Sequence, residues 1–195
     1  VAEHLRALGL QPKILAGHGV VAIIEGGKPG PKIALRADMD GLPVTEQTGL
    51  PFASKATSTY RGETVGVMHA CGHDAHTAML MGAAEILAGM KDQIAGTVVF
   101  VFQPAEEGAP PGEPKGGAAL MIAAGALNGP RPEAIFGLHV VAGGASSVFY
   151  RPEGFMAASD RVDISLKGRQ THGAWHWRGV DVIAVAGHVV ETVNT

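Results

Sequence analysis

Met68-His69-Ala70-Cys71-Gly72-His73-Asp74-Ala75-His76 crowds the chain's only cysteine, three of its nine histidines and a carboxylate into one short stretch. Thiolate, imidazole and carboxylate are the side chains that hold divalent metals. Cys71 and His73 stand two residues apart, so in extended backbone both side chains leave the same face, as a chelate requires. A lone cysteine is ordinarily a small buried hydrophobe, but in this company a metal site is the stronger reading. The spacing lacks the two separated ligand pairs of a zinc finger. On local sequence a cysteine nucleophile paired with a histidine also stays open.

Three other places carry chemistry. Phe102-Gln103-Pro104-Ala105-Glu106-Glu107-Gly108 sets two adjacent carboxylates at the end of an apolar run. They read either as a solvated turn or as a pair facing a cation, with Glu107 binding metal and Glu106 free as a general base. Adjacent side chains of a strand diverge, so both serve one site only if the strand has ended, and Pro104 favours that ending. Phe136-Gly137-Leu138-His139 repeats the arrangement with one histidine. Gly168-Arg169-Gln170-Thr171-His172-Gly173-Ala174-Trp175-His176-Trp177 gathers both tryptophans, as an exposed aromatic loop or as one facing a partner or substrate.

These groups must be positioned by something. Val1-Ala2-Glu3-His4-Leu5-Arg6-Ala7-Leu8-Gly9 predicts the last turns of an amphipathic helix stopped by glycine. Residues 12–16 and 20–25 flank Gly17-His18-Gly19 as a hairpin. Residues 32–36 predict a short strand leading into Ala37-Asp38-Met39-Asp40, residues 97–102 a strand buried on both faces, and residues 134–138 another buried strand. Residues 77–90 and 117–127 predict small-residue helices, the first packed closely through Ala78, Gly82 and Ala83. Strands alternating with helices predict an α/β domain with a mostly parallel sheet. Ligands bind outside the carboxyl ends of such strands, where Asp38, Asp40, Glu106, Glu107 and His139 all fall. Past residue 159 the texture changes: residues 161–167 alternate as a half-exposed strand, a polar loop follows, and a helix starts near Val180. We therefore expect an α/β region over residues 1–159, the catalytic metal-binding domain on the resemblance given below, and the start of an α+β region over 160–195. Residues 109–115, rich in Pro and Gly, read as a loop.

Composition narrows the function. The 195 residues are 46% hydrophobic, and the 17% that are charged fall below the roughly 25% of average soluble domains. A net charge of −3, with no run of Lys or Arg, argues against nucleic acid and anionic membrane as partners. No apolar run approaches a spanning helix, and no signal peptide opens the chain. A single cysteine excludes an intrachain disulfide framework and points mildly to a reducing, cytoplasmic setting. Both ends read as cut, the first inside a helix and the second in a helical pattern without a stop signal.

Taken in order, Leu35-Arg36-Ala37-Asp38-Met39-Asp40-Gly41-Leu42-Pro43, the Met68 to His76 cluster, Phe102 to Gly108, Gly137-Leu138-His139-Val140 and Thr171-His172-Gly173-Ala174 resemble the signatures of the M20 metallopeptidase family. The resemblance is to its branch of amidohydrolases and aminoacylases acting on N-acyl amino acids, hippurate hydrolase and indole-acetyl-amino acid hydrolases among them. It implies that Cys71, His73, Glu107 and His139 ligate two divalent ions, Zn²⁺, Mn²⁺, Co²⁺ or Ni²⁺. It further implies Glu106 as the catalytic base, His172 as a lid histidine polarising the scissile carbonyl, and Asp38 and Asp40 as acids steadying the ligands. Asp74 and His69 are expected as further supports, and His76 in the first turn of the helix. The implied reaction is hydrolysis of an amide bond in a small N-acyl amino acid or short peptide-like substrate by a metal-activated water. The implied fold is an α/β metallohydrolase domain, incomplete here, followed by the start of a dimerisation lid, with a homodimer as the assembly.

The chain also departs from the pattern. His176 and Val182 stand where the lid segment calls for proline, and the family's distal metal-binding histidine is expected beyond Thr195, as are most of the groups that grip acyl chain and carboxylate. The alternative reading is therefore a truncated or decayed product that binds metal without turnover.

Overall fold

A computed structural model describes residues 1–109, 112, 115–158 and 162–193. By contact density the chain divides into two compact units, Val1–Gly143 and Gly144–Thr195. The boundary expected at 159/160, and Arg161 at the start of the expected strand, lie outside the described residues.

The first unit is an α/β sandwich. Helix α1 (Ala2–Ala7) leads into strands β1 (Lys13–Leu15), β2 (Gly19–Glu25) and β3 (Lys28–Asp38), then a small hairpin of β4 (Thr57–Tyr60) and β5 (Glu63–Gly66). Helix α2 (His73–Gly89), strand β6 (Ala95–Gln103), helix α3 (Gly117–Ala123) and strand β7 (Ala134–Gly137) complete it. The main sheet has the order β1-β2-β6-β3-β7. Strands β3, β6 and β7 are parallel, and β2 runs against β6 while β1 runs against β2. Hence β2 alone opposes the common direction, and the sheet is mostly parallel, as the alternating pattern predicts.

Alternation along the central strands explains why both faces of the sheet are covered. Val98, Phe100 and Phe102 of β6 and Val20, Ala22 and Ile24 of β2 pack with Leu5 of α1 and Leu80 and Ala84 of α2. Val99 and Val101 of β6, Val21 and Ala34 turn the other way, onto Met121 and Ala126. Phe100 and Phe102 are wholly buried, each contributing roughly 1.5–3 kcal/mol from apolar burial.

Three expectations are corrected. The buried face of α2 runs through His73, His76, Leu80 and Ala84, at helical spacing, whereas Ala78 is exposed and Gly82 has open space around it. Strand β7 is apolar but not buried: Ile135 is 51% and Phe136 58% exposed, and among the described residues β7 pairs with β3 alone and forms the sheet edge. An apolar run of this length reads alike at the centre and the edge of a sheet. Helix α3 also ends earlier than the sequence pattern suggests, at Ala123.

In the second unit, residues 162–168 form no strand; their alternating pattern finds no neighbouring strand to pair with among the described residues. Arg169 and Val180 make an isolated antiparallel bridge around a 3₁₀ segment, Gly173–Arg178. Helix α4 (Val182–Val193) follows, and the Asp181 carboxylate caps it by accepting from the Ile183 and Ala184 amides at 2.9 and 3.2 Å.

Candidate metal centre

The sheet register brings the chemical groups together. Asp38, the last residue of β3, lies opposite Gln103, the last residue of β6, and Arg36 lies opposite Gly137, the last residue of β7. Asp38 and Asp40, Glu106 and Glu107, and His139 thus leave three adjacent strands at the same carboxyl-terminal edge. The first turn of α2 delivers His73 and His76 to that edge.

His73 is fully buried and sits at the centre. Its Nδ1 is 3.0 Å from the Asp40 carbonyl oxygen and 3.2 Å from Asp40 Oδ1. Both are acceptors, so Nδ1 carries the ring proton and Nε2 presents a lone pair. That Nε2 is buried without a hydrogen-bond partner among the described residues. Around it, Asp38 Oδ2 and Glu107 Oε1 lie at 3.7 Å and Glu106 Oε2 at 3.9 Å. These distances are too long for hydrogen bonds and suit groups sharing a cation. Orphaned buried nitrogens are rare and costly, and a metal ion would satisfy this one.

Asp38 is 1% exposed and held from two sides. Its Oδ1 accepts from His76 Nδ1 at 2.5 Å, and its Oδ2 lies 2.7 Å from Arg36 Nη1, an ion pair out of line for a hydrogen bond. Burial pushes its carboxyl up, but the His76 hydrogen bond and the charges of Arg36, His73 and His76 outweigh that and hold it below the ordinary value. The other ring nitrogen of His76, Nε2, accepts from the Val140 amide at 2.8 Å. With both nitrogens engaged, His76 is a brace and not a ligand. Arg36 also donates from Nε to Gln103 Oε1 at 2.9 Å, locking β3 to β6 behind the site.

Glu106 and Glu107 converge because β6 ends first. The chain turns at Pro104 and Ala105, the latter in the left-handed region at φ 51°. The Glu107 amide then donates to Asp40 Oδ2 at 3.0 Å. Both carboxylates stand almost equally far from His73 Nε2.

Cys71 Sγ is 3.5 Å from His139 Nε2, while His139 Nδ1 donates to the Val140 carbonyl at 2.7 Å. His139 therefore also turns an unprotonated Nε2 inward. A hydrogen bond to Glu107, with burial and the charges of Glu107, Glu106 and Asp38, pushes the Cys71 thiol up to about 11. A nucleophilic cysteine requires the opposite shift, so the field around Cys71 suits a thiol waiting to exchange its proton for a cation. Gly72 separates Cys71 from His73 with φ 80°, and a Cβ there would meet Val140 Cγ2 at 2.2 Å.

Three groups of potential ligand atoms lie within 4.8 Å of one another among the described residues: Cys71, His73 and His139; His73, Glu106 and Glu107; Asp38, His73 and His76. His73 belongs to all three. The third is discounted because His76 has no free nitrogen. His73 has one free nitrogen and serves one ion only; soft Cys71 on one side of it and the hard glutamates on the other fit divalent transition ions.

Other expected residues fall elsewhere. Asp74 does not support the ligands: it is exposed on the first turn of α2, where a negative charge complements the helix dipole. His69 is exposed beside it. His172, in the second unit, caps the 3₁₀ segment by accepting from the Ala174 amide at its Nδ1, 3.1 Å away. Sequence reasoning missed Arg36 and His76 as the clamps on Asp38. Arg36 was within reach, since residues i and i+2 of a strand share a side.

Comparison with known proteins identifies the family. Residues 34–190 match the sequence profile of peptidase family M20/M25/M40, and the chain belongs to that family. Thermostable carboxypeptidase 1 of Saccharolobus solfataricus is 42% identical over 99% of this chain and 46% of its own length. N-acetylcysteine deacetylase of Bacillus subtilis is 44% identical over 91% of this chain and 43% of its own. N-acyl-L-amino acid amidohydrolase of Geobacillus stearothermophilus is 41% identical over 90% of this chain and 44% of its own. The chain thus spans about half the length of the curated relatives it matches. Among solved structures, the YXEP protein of Bacillus subtilis, described as a dinuclear metal binding peptidase of the M20 family, superposes with a TM-score of 0.59 at 45% identity, covering 70% of this chain and 34% of its own. No helix among the described residues is long and apolar enough to cross a membrane.

Proposed function

We propose that this chain carries the metal-binding part of an amidohydrolase that cleaves the amide bond of N-acyl amino acids. The observation that carries the proposal is His73 Nε2, buried and unpartnered amid three carboxylates. The names of the related N-acetylcysteine deacetylase and N-acyl-L-amino acid amidohydrolase support this substrate class.

Cys71, His73, Glu107 and His139 would hold two divalent ions, with Asp40 orienting His73 and the Val140 carbonyl orienting His139. Such ions polarise a carbonyl and bring the pKa of water down toward about 7. Glu106 takes the proton of the attacking water on its carboxylate and returns it to the departing amine. His172 is suited to donate to the carbonyl oxygen: its Nδ1 already accepts a hydrogen bond, so the proton sits on Nε2. A region from residue 160 would serve as lid and dimerisation element.

The test is hydrolysis of N-acetyl and N-benzoyl amino acids by the whole protein with added Mn²⁺ or Zn²⁺, before and after chelation. Turnover that disappears with chelator and returns with metal is the expected result. Chelator-resistant turnover abolished by iodoacetamide would instead establish a cysteine hydrolase built on Cys71.

A further inference from the structure

A cavity of about 640 Å³ opens beside the metal centre, and Asp40 and Glu107 form part of its wall. Met39, Leu42, Pro43, Val65, Val67 and Leu120 make most of the remaining surface apolar. The volume falls within the range of small-molecule pockets, roughly 300–1,000 Å³.

One side of the cavity is the β4–β5 hairpin, through Ser58, Thr59, Tyr60 and Val65. The hairpin is tied down at its base. Leu42 and Met68 exchange backbone hydrogen bonds at 2.8 and 3.2 Å, and Ser54 Oγ donates to the Val67 carbonyl at 2.6 Å. A Cβ on Gly66 would meet Thr45 Oγ1 at 2.5 Å, so the hairpin packs tightly where it joins the body. Beyond β5 the chain runs through the isolated Leu42–Met68 bridge to Cys71, five residues past Gly66, which links the hairpin wall to a proposed metal ligand.

We infer that this cavity receives the acyl group of the substrate and that the β4–β5 hairpin sets which acyl groups are accepted; the inference rests on the amidohydrolase reading above. An N-acyl amino acid has a charged end, the α-carboxylate, and an uncharged end, the acyl group. The cavity wall contains no lysine or arginine among the described residues, with His18 its one basic side chain, so it offers an α-carboxylate no guanidinium or ammonium partner, and Asp40 beside it carries the same sign. Its apolar surface and volume suit a benzoyl or longer acyl group and leave an acetyl group underfilling it. The acyl-binding groups, expected from sequence beyond Thr195, are on this account within the chain.

The test compares Val65→Trp and Val65→Ala with the parent in the whole metal-loaded protein, measuring kcat/KM on N-benzoyl and N-acetyl derivatives of one amino acid. Val65→Trp narrows the cavity and should lower kcat/KM on the N-benzoyl substrate by about tenfold or more, with the N-acetyl substrate within about twofold. Bound metal, measured alongside, should not change. Val65→Ala should shift the benzoyl-to-acetyl ratio the other way, and it carries the test alone if the tryptophan variant does not fold. An active parent whose variants alter both substrates equally, or leave both unaltered, overturns the acyl assignment and leaves the hydrolase reading standing. A metal-loaded parent inactive on every N-acyl amino acid overturns both.

Discussion

His76 donates from Nδ1 to Asp38 Oδ1 at 2.5 Å, and from the other side of its ring accepts the Val140 amide at 2.8 Å. One imidazole therefore spans the end of β3 and the segment that carries His139. Both its nitrogens are engaged, and it ties two walls of the site together. Replacing His76 with alanine should weaken metal binding by about 10- to 100-fold, the usual effect of losing an outer support, while the four proposed ligands remain. Metal titration followed by calorimetry measures this; unchanged affinity would show that the ring does not position the ligands.

Gly72 and Gly82, both associated with α2, should respond oppositely to alanine. At Gly72 the backbone has φ 80° and the new Cβ meets Val140 Cγ2 at 2.2 Å, so strain and displacement act together. A loss of about 1–3 kcal/mol is expected, accompanied by loss of metal. Gly82 lies in the helix interior with nothing within 4 Å, and alanine there should stabilise by about 1 kcal/mol from helix propensity. Thermal denaturation of both variants provides the comparison.

The two glutamates should separate in metal content. Cys71→Ala and Glu107→Ala should lose bound metal, whereas Glu106→Ala should keep it and lose turnover. Elemental analysis of the purified variants measures this, and equal metal loss in all three contradicts the division of labour.

Cys71 should be sluggish toward alkylation in the metal-free protein. Its thiol is pushed up to about 11, first by the hydrogen bond to Glu107 and then by burial and nearby negative charge. The thiolate fraction at pH 8 is then smaller than for a free cysteine, and reactivity should climb only as the pH approaches that value. Glu107→Gln should speed iodoacetamide labelling at pH 8; no acceleration would remove Glu107 as the cause.

Asp38 should contribute an acid-sensitive part of stability. Its carboxyl is held below the ordinary value of 3.8 in the folded chain, so the unfolded state takes up its proton first as pH falls. The contribution is complete above the unfolded value and declines as pH drops through the folded one. Asp38→Asn should flatten this acid limb in chelator-treated protein, measured as denaturation midpoint against pH. An unchanged slope would place the acid sensitivity elsewhere.

Much of the site was legible because its signals are local. The alternation of Val98, Phe100 and Phe102 against Val99 and Val101 predicts a strand covered on both faces, and Pro104 predicts its end just before Glu106. Gly9 predicts the stop of α1, and Cys71 with His73 announces a chelate without any partner in view. Such features depend on residues a few positions apart, where backbone stereochemistry alone decides the outcome. Asp74 misled for the same reason: adjacency to His73 suggests support, yet one helical step rotates it out to solvent. The apolar run of β7 misled because sheet position is not encoded within a strand.

The sequence by itself determined which residue types could bind metal and that they lie at strand ends and a helix start. Only the tertiary structure decided that His73 Nε2 is left buried without a partner, that Arg36 and His76 clamp Asp38, and that a cavity opens beside Glu107. Those relationships join residues far apart in the chain, such as Asp38 with His76 and Asp40 with Glu107. They depend on which strands become neighbours and in what register, and that is settled by burial of the whole sheet and not by any single segment.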